Sequence, residues 1–238
     1  PLYKKAQVDD KCSTLTLTFK GDYAIEFRAY DEAAAYRFIS TRKGAYTVKN
    51  EISEYAFAGE PTVFCSYTRS NANKEFSEQY FNSFETPYVI EPMTKMGQKR
   101  LMFLPVLVDM GDRKVCITET DLTSYPGMYL YNSNNDNTLE SHYAPVPDKI
   151  KQGGHNMLQG LVESRKPYIA EVEGERSFPW RMCIVANNDA ELLEDDMVFR
   201  LSHENVIGDT SWIKPGKVAW EWWNDWGLRG VDFQPGVN

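Results

Sequence analysis

Apolar and polar residues alternate with a period of two along much of the first half of this chain. The pattern is clearest in residues 15–19 (LTLTF) and 23–27 (YAIEF), which Gly21 and Asp22 separate. A period of two places every second side chain on the same face of a strand. Two such runs joined by a short Gly-Asp segment are typical of a β-hairpin. The alternation therefore predicts antiparallel β-structure for this part of the chain.

Similar short runs recur, with Gly, Pro, Asn or Asp between them. They cover residues 37–40, 63–67, 101–108, 115–119, 128–131, 168–172, 181–186 and 198–201. Residues 74–81 instead space their apolar side chains as a short helix or a turn would, and the Asn-rich residues 132–137 are expected to form an exposed loop. Many short strands with little helical periodicity are typical of a β-sandwich. The sequence predicts an antiparallel β-sandwich over residues 1–208.

Composition and charge exclude several classes of function. Lys and Arg number 26 against 34 Asp and Glu, so the net charge is −8 and nucleic acid is not an expected partner. No apolar run is long enough to span a membrane, and the chain opens without a signal-peptide pattern. The four cysteines form no CxxC pair and are expected to be buried free thiols, while the three histidines lack the spacing of metal ligands. Aromatic residues reach 13%, which suits a core and also the stacking of sugar rings.

The composition changes at Asp209, where the chain reads DTSWIKPGKVAWEWWNDWGL and holds five of the six Trp residues. Residues 218–223 are almost continuously apolar, which is typical of a parallel strand covered on both faces. Asn224 and Asp225 follow at its carboxyl end, where (β/α)8 barrels collect their active-site groups. We therefore expect residues 209–238 to be a linker and the first strand of a truncated (β/α)8 barrel.

Four blocks of the sequence carry a family resemblance. They are EFRAYDEAAAYRF (26–38), CITETDLTSYPGMYL (116–130), ERSFPWRMCIVA (175–186) and DTSWIKPGKVAWEWWNDW (209–226). In this order they resemble glycoside hydrolase family 97, calcium-dependent α-glucosidases and α-galactosidases in which a β-sandwich of the super-sandwich type precedes a catalytic barrel. One departure is Glu32, where relatives usually carry Gly. The resemblance implies a sandwich that lacks its first strands, followed by a barrel that continues beyond this chain.

The resemblance also implies a function. The whole protein is expected to be an exo-acting α-glycosidase that hydrolyses α-linked glucosides or galactosides with calcium in a Gram-negative periplasm. Its catalytic carboxylates are expected in the barrel, so this chain alone should be inactive. Two alternatives from other classes stay open. The chain could be a carbohydrate-binding sandwich that stacks sugars on exposed aromatic side chains, or a structural domain that shapes the barrel.

Site residues follow from the same resemblance. Glu119, at the end of the apolar run 115–119, is expected to project outward and to supply one calcium ligand, with Asp121 as the alternative and a solvated loop carboxylate as the plain interpretation. Asn224 and Asp225 are expected to bind substrate hydroxyls and Trp223 to stack on a sugar. Packing of Trp220 or Trp222 beneath the barrel helices is the alternative for the tryptophans.

Three residues of the ERSFPWR block are expected to be structural. They are Arg176, Trp180 and Arg181. An arginine fork there would pair with carboxylates near the join between the sandwich and the barrel.

Overall fold

The computed structural model of the chain describes residue 5 and residues 7–68, 75–81, 84–97 and 99–218. The strands within these residues are β1 (Ser13–Phe19), β2 (Tyr23–Ala29), β3 (Ala33–Ser40), β4 (Ala45–Val48), β5 (Glu54–Ala56), β6 (Thr62–Tyr67), β7 (Val89–Pro92), β8 (Met102–Asp109), β9 (Lys114–Thr120), β10 (Met128–Tyr131), β11 (Thr138–Tyr143), β12 (Pro147–Gly153), β13 (Gln159–Arg165), β14 (Ala170–Glu173), β15 (Arg176–Ser177) and β16 (Trp180–Ala186). The helices are α1 (Phe76–Gln79), α2 (Asp189–Glu194) and α3 (Met197–Leu201), with 3-10 turns at Met93–Lys95 and His155–Met157.

Twelve of these strands form one antiparallel sheet. Its main path runs β1-β2-β3-β16-β9-β8-β10-β11-β5, with β15 on β3 and with β6 joining β7 to β8. Strand β8 shares one of its ends with β10 and the other with β9, so the sheet changes direction there. Two further pairs, β12 with β13 and β4 with β14, are also antiparallel. The mainly β, antiparallel architecture is confirmed.

The predicted hairpin is confirmed residue by residue. β1 and β2 are antiparallel neighbours, with Phe19 opposite Tyr23. The connection needs two left-handed residues, and Gly21 (φ 106°) and Asp22 (φ 64°) supply them. Glycine adopts this conformation without a steric penalty, and aspartate tolerates it better than most residues. The local turn chemistry therefore fixes the register of the first two strands.

The central core lies around β6, β8 and β10. Alternate residues of β6, namely Val63, Cys65 and Tyr67, are at most 2% exposed, as the period-two pattern requires. Burying an apolar side chain of this size contributes about 1.5–3 kcal/mol. A second cluster joins Trp180 and Met182 of β16 to Met197 and Leu201 of α3, among others. The cysteines are free, and among them Cys65 is buried.

Residues 198–201 are a correction to the sequence prediction, since they belong to helix α3 and not to a strand. Met197 and Leu201, four residues apart, are 0% and 4% exposed, whereas Val198 and Phe199 point outward. Positions i and i+4 share one face of a helix. A short apolar run cannot be assigned to helix or strand by periodicity alone. The predicted short helix near residues 74–81 is present as α1.

The loop at residues 132–137 is less exposed than predicted. Asn132 is 1% exposed, and its Oδ1 accepts hydrogen bonds from the backbone N–H groups of Asn134 (3.2 Å) and Asn135 (2.6 Å). Its Nδ2 donates to the carbonyls of Met93 (3.2 Å) and Asp136 (2.7 Å). The first residue of the loop is thus a buried anchor, while residues 134–136 are exposed.

The chain divides into two compact units, residues 1–203 and 204–238. The first unit contains every strand and helix given above. In the second unit, residues 204–218 are exposed and carry neither strand nor helix. The predicted barrel strand lies outside the described residues except for Val218, and so do Trp223, Asn224 and Asp225. No helix in the described part of the chain has the length and apolarity needed to cross a bilayer.

Candidate functional site

Glu119 lies near the end of β9, directly opposite Arg181 of β16. Residues opposite each other in an antiparallel pair point to the same face of the sheet, and the Arg181 Nη1 atom donates a hydrogen bond to Glu119 Oε2. The backbone N–H of Met128 donates to both carboxylate oxygens of Glu119, at 3.0 and 3.2 Å. The Glu119 side chain is only 8% exposed. It therefore turns into the protein, in contrast to the outward projection expected from the sequence.

Arg181 holds a second carboxylate that the sequence analysis missed. Its Nε and Nη2 atoms donate to Glu51 Oε1 (2.8 Å) and Oε2 (3.0 Å), which makes a bidentate pair. The Tyr143 hydroxyl donates to Oε1 at 2.9 Å and the Tyr125 hydroxyl donates to Oε2 at 3.0 Å. A carboxylate offers about four lone-pair positions, so Glu51 has none to spare. We call Glu51, Arg181 and Glu119 the carboxylate–arginine cluster.

The carboxylate–arginine cluster contains two carboxylates and one guanidinium. The Arg181 side chain is 1% exposed and that of Glu51 is 5% exposed. Burial raises the pKa of Glu119 to about 7, although Arg181 and the Met128 N–H act in the opposite direction. Burial likewise raises the pKa values of Tyr125 and Tyr143, so their hydroxyls remain donors. With both carboxylates ionised, the cluster carries one net negative charge unless a proton or a cation binds.

Glu119 lines an open groove of about 680 Å³. The groove also presents the aromatic side chains Phe84, Phe103, Tyr125 and Tyr129 and the charged side chains Arg165 and Glu171. A second groove of about 470 Å³ includes Glu51, and Tyr125 lines both. Pockets of this size with mainly apolar walls and a few polar groups are typical of small-molecule sites.

The loop after Glu119 carries the wall residue Tyr125. Asp121 (φ 63°) and Ser124 (φ 48°) are both left-handed there, a conformation that costs energy for residues other than glycine. Arg176 steadies the loop by donating hydrogen bonds to the carbonyls of Thr123 (2.7 Å) and Ser124 (3.4 Å). Arg176 therefore contacts backbone carbonyls here, while Arg181 forms the predicted fork with carboxylates.

The other residues singled out in this region have different partners. Asp121 accepts the backbone N–H of His203 at 3.0 Å, and its Oδ2 lies 2.8 Å from Nδ1 of the same residue. Trp180 is 1% exposed, and the guanidinium groups of Arg28 and Arg37 stack on its ring at 4.8 and 4.3 Å. Asp121 is thus engaged with His203, and Trp180 is a core residue.

The described residues contain no complete calcium site. They contain no group of three or more His, Cys, Asp or Glu side chains that could hold a metal ion. Calcium takes six to eight oxygen ligands. Glu119 keeps unused lone pairs, lines a groove and belongs to a cluster with an excess negative charge, so it fits the role of one ligand. The remaining ligands would have to come from outside the described residues.

Comparisons with known proteins agree with this architecture. The family model described as "Glycosyl-hydrolase 97 N-terminal" matches residues 1–203. The chain is 46% identical over 239 residues to "Retaining alpha-galactosidase" of Bacteroides thetaiotaomicron, covering 100% of this chain and 36% of the relative. It is 26% identical over 226 residues to "Probable retaining alpha-galactosidase" of Streptomyces bingchenggensis, covering 92% of this chain and 29% of the relative. The chain therefore spans about a third of the length of these curated relatives.

Solved structures support the fold. A variant of a glycoside hydrolase family 97 enzyme from Pseudoalteromonas sp. strain K8 matches with a TM-score of 0.60 at 16% identity, covering 87% of this chain and 31% of the other. A glycoside hydrolase family 97 enzyme from the same strain in complex with acarbose matches with a TM-score of 0.58 and the same coverage. The fold and the matches define an N-terminal β-sandwich domain of a glycoside hydrolase. The chain belongs to glycoside hydrolase family 97.

Proposed function

We propose that the whole protein is an exo-acting retaining α-glycosidase that releases galactose from α-galactosides. The observation that carries this proposal is the 46% identity, over the full chain, to an enzyme named a retaining α-galactosidase. α-Glucosides are the alternative substrates, since the enzyme of lower identity binds panose and acarbose. The location in a Gram-negative periplasm rests on the family resemblance alone.

We infer that this chain contributes a metal ligand and not the catalytic pair. Glycoside hydrolysis with retention needs two carboxyl groups about 5 Å apart. The carboxylates of the first groove are Glu119, which Arg181 holds, and Glu171, which accepts the Tyr168 hydroxyl. Each already accepts a hydrogen bond from a side chain of this domain. We therefore place the catalytic acid and nucleophile in the barrel, and we propose Trp223, Asn224 and Asp225 as substrate contacts.

Glu119 is proposed to coordinate calcium through one carboxylate oxygen. The excess negative charge of the carboxylate–arginine cluster and the unused lone pairs of Glu119 support this role. Bound calcium would supply a fixed positive charge next to the substrate. The task of this chain is to hold Glu119 in place, through the hydrogen bonds from Met128 and Arg181.

Hydrolysis assays on the whole protein test this proposal. Nitrophenyl α-galactoside should be cleaved faster than nitrophenyl α-glucoside, and a calcium chelator should abolish both reactions. Glu119→Gln should lose calcium dependence and activity together. Glu26→Gln is the matched control, because Glu26 is also buried (7% exposed) and also binds arginines, Arg28 and Arg37, yet lines neither groove. Unchanged calcium dependence in Glu119→Gln would remove Glu119 from the site.

A carbohydrate-binding role without catalysis is the second candidate, and one observation favours it. Tyr23, which lines the second groove, is 44% exposed and stacks flat on Phe19 with ring centroids 5.0 Å apart and planes 7° apart. An exposed flat aromatic pair suits a sugar ring. Calorimetric titration of this chain with maltooligosaccharides should then give binding that Tyr23→Ala removes. If no binding is measured, the carbohydrate-binding role is excluded, and the structural and metal-ligating roles of the domain remain.

A further inference from the structure

We propose that Glu51 is a positioning residue for Glu119, which acts by occupying two of the three Arg181 nitrogen atoms that bind carboxylates. The inference rests on the proposed calcium role of Glu119. Glu51 accepts hydrogen bonds from Nε and Nη2 of Arg181, so only Nη1 donates to Glu119. Arg181 therefore contacts only one oxygen of Glu119, and Glu119 keeps acceptor positions free.

The hydrogen bonds explain why the two carboxylates have different roles. Glu51 accepts four hydrogen bonds, two from Arg181 and one each from Tyr125 and Tyr143. Glu119 accepts one from Arg181 and shares the single N–H of Met128 between its two oxygens. A carboxylate that accepts four hydrogen bonds must lose one of them to bind a metal, whereas Glu119 can bind a metal and keep its hydrogen bonds. Glu51 thus acts through Arg181, and only Glu119 reaches the metal.

Loss of the Glu51 charge would change the geometry of Arg181. A guanidinium prefers a bidentate pair with a carboxylate, because two parallel N–H···O bonds form at once. In Glu51→Gln, Glu119 is the one carboxylate among the described residues that still pairs with Arg181. We expect Arg181 to turn toward Glu119 and to engage both of its oxygens, which withdraws them from calcium. Groups that orient a metal ligand typically change metal affinity by about 10–100-fold when they are removed.

A merely structural role for Glu51 predicts a different result. Glu51→Gln removes the excess negative charge of the carboxylate–arginine cluster, so the folded state need not become less stable. A structural role would lower the melting temperature and leave the calcium affinity of the folded protein unchanged. The positioning role lowers the calcium affinity by at least about tenfold in a protein that is still folded. The two measurements therefore separate the roles.

The test is calorimetric titration of calcium chloride into the whole protein, with melting curves recorded in chelator. Parent, Glu119→Gln, Glu51→Gln and the control Glu26→Gln are compared. We expect calcium binding to be lost in Glu119→Gln, weakened at least about tenfold in Glu51→Gln and unchanged in Glu26→Gln. An affinity within twofold of the parent in folded Glu51→Gln, with loss in Glu119→Gln, would overturn the role of Glu51 and leave the calcium role intact. Retained affinity in Glu119→Gln would overturn the calcium role itself.

A second variant covers the case in which Glu51→Gln does not fold. Tyr143→Phe keeps both carboxylates and removes only one of the four hydrogen bonds to Glu51. It should weaken calcium binding less than Glu51→Gln does, and parent-like affinity in this variant would then contradict the proposal. A crystal structure of this chain with Glu51→Gln gives an independent readout. Arg181 should bind Glu119 through two nitrogen atoms, and an unchanged single contact would overturn the inference.

Discussion

Arg181 is the residue on which the carboxylate–arginine cluster depends, because it is the only cation that contacts Glu51 and Glu119 among the ion pairs of the described residues. Replacing it by Met leaves two buried carboxylates facing each other. Removing one partner of a buried ion pair typically costs about 3–5 kcal/mol. We expect Arg181→Met to lower the free energy of unfolding in urea at neutral pH by about that amount.

The matched control for this prediction is Arg113→Met. Arg113 lies 3.9 Å from Asp112, with side chains that are 61% and 81% exposed. Exposed pairs contribute about 0–1 kcal/mol, so the control should unfold almost like the parent. Equal losses of unfolding free energy in the two variants would show that the buried ion pairs of Arg181 stabilise the fold no more than an exposed pair does.

His142 gives a prediction for the dependence of stability on pH. It stacks on Tyr80 with ring centroids 5.7 Å apart, and burial lowers the pKa of His142 to about 4. The unfolded chain has a histidine pKa of about 6.5, so the unfolded state binds more protons between these values. Stability should therefore fall as pH decreases from about 6.5 toward 4.

Urea unfolding across this pH range measures the effect. In His142→Gln the free energy of unfolding should fall less as the pH decreases, because the contribution of His142 protonation is absent. His155→Gln, at an exposed position on the β12–β13 connection, is the control and should follow the parent curve. A parent-like decrease in His142→Gln would show that this histidine does not titrate as its burial implies.

The sequence could predict only part of the site. Local motifs point to Glu119 and Arg181, and their contact depends on the register of β9 and β16. Glu51 is missed, because it lies outside any regular element and 130 residues from Arg181 along the chain. No local pattern encodes such a long-range pair. The predicted direction of the Glu119 side chain is wrong for the same reason, since the opposite strand decides which face is buried.

At the scale of elements, the alternation of apolar and polar residues predicts the strands that are buried on one face and misses the exposed strands. The β6 and β8 patterns are readable because alternate residues enter the core. Strand β12 (PDKIKQG) is exposed at nearly every position, so no apolar period marks it, and it forms by pairing with β13. The strand prediction for helix α3 is wrong because its run of apolar residues is too short to show a period.

Helix α3 supplies the prediction at this scale. Leu201 is 4% exposed and belongs to the cluster around Trp180 and Met182. Leu201→Ala should lower the free energy of unfolding by about 2–5 kcal/mol because it leaves a cavity. Val198→Ala, on the exposed face of the same helix, is the control and should cost less than half as much. Similar losses in urea unfolding for both variants would contradict the packing of α3.

At the scale of the whole molecule, the match to the family model and the first compact unit both end at residue 203. The described residues beyond it are exposed and irregular. We expect a chain that ends at His203 to melt cooperatively within a few degrees of the 238-residue chain, and limited proteolysis of the longer chain to leave a fragment of similar size. A truncated chain that fails to fold would show that later residues are part of the domain.

The central claim is that this sandwich supplies a positioned metal ligand while the catalytic carboxylates lie elsewhere in the protein. The most direct measurement is release of nitrophenol from nitrophenyl α-galactoside and α-glucoside by the purified 238-residue chain in calcium. We predict no release above that of buffer, because we place the catalytic acid and nucleophile in the barrel, outside this domain. Turnover that disappears in Glu119→Gln or in a Glu171→Gln variant would contradict the account and place catalysis in this chain.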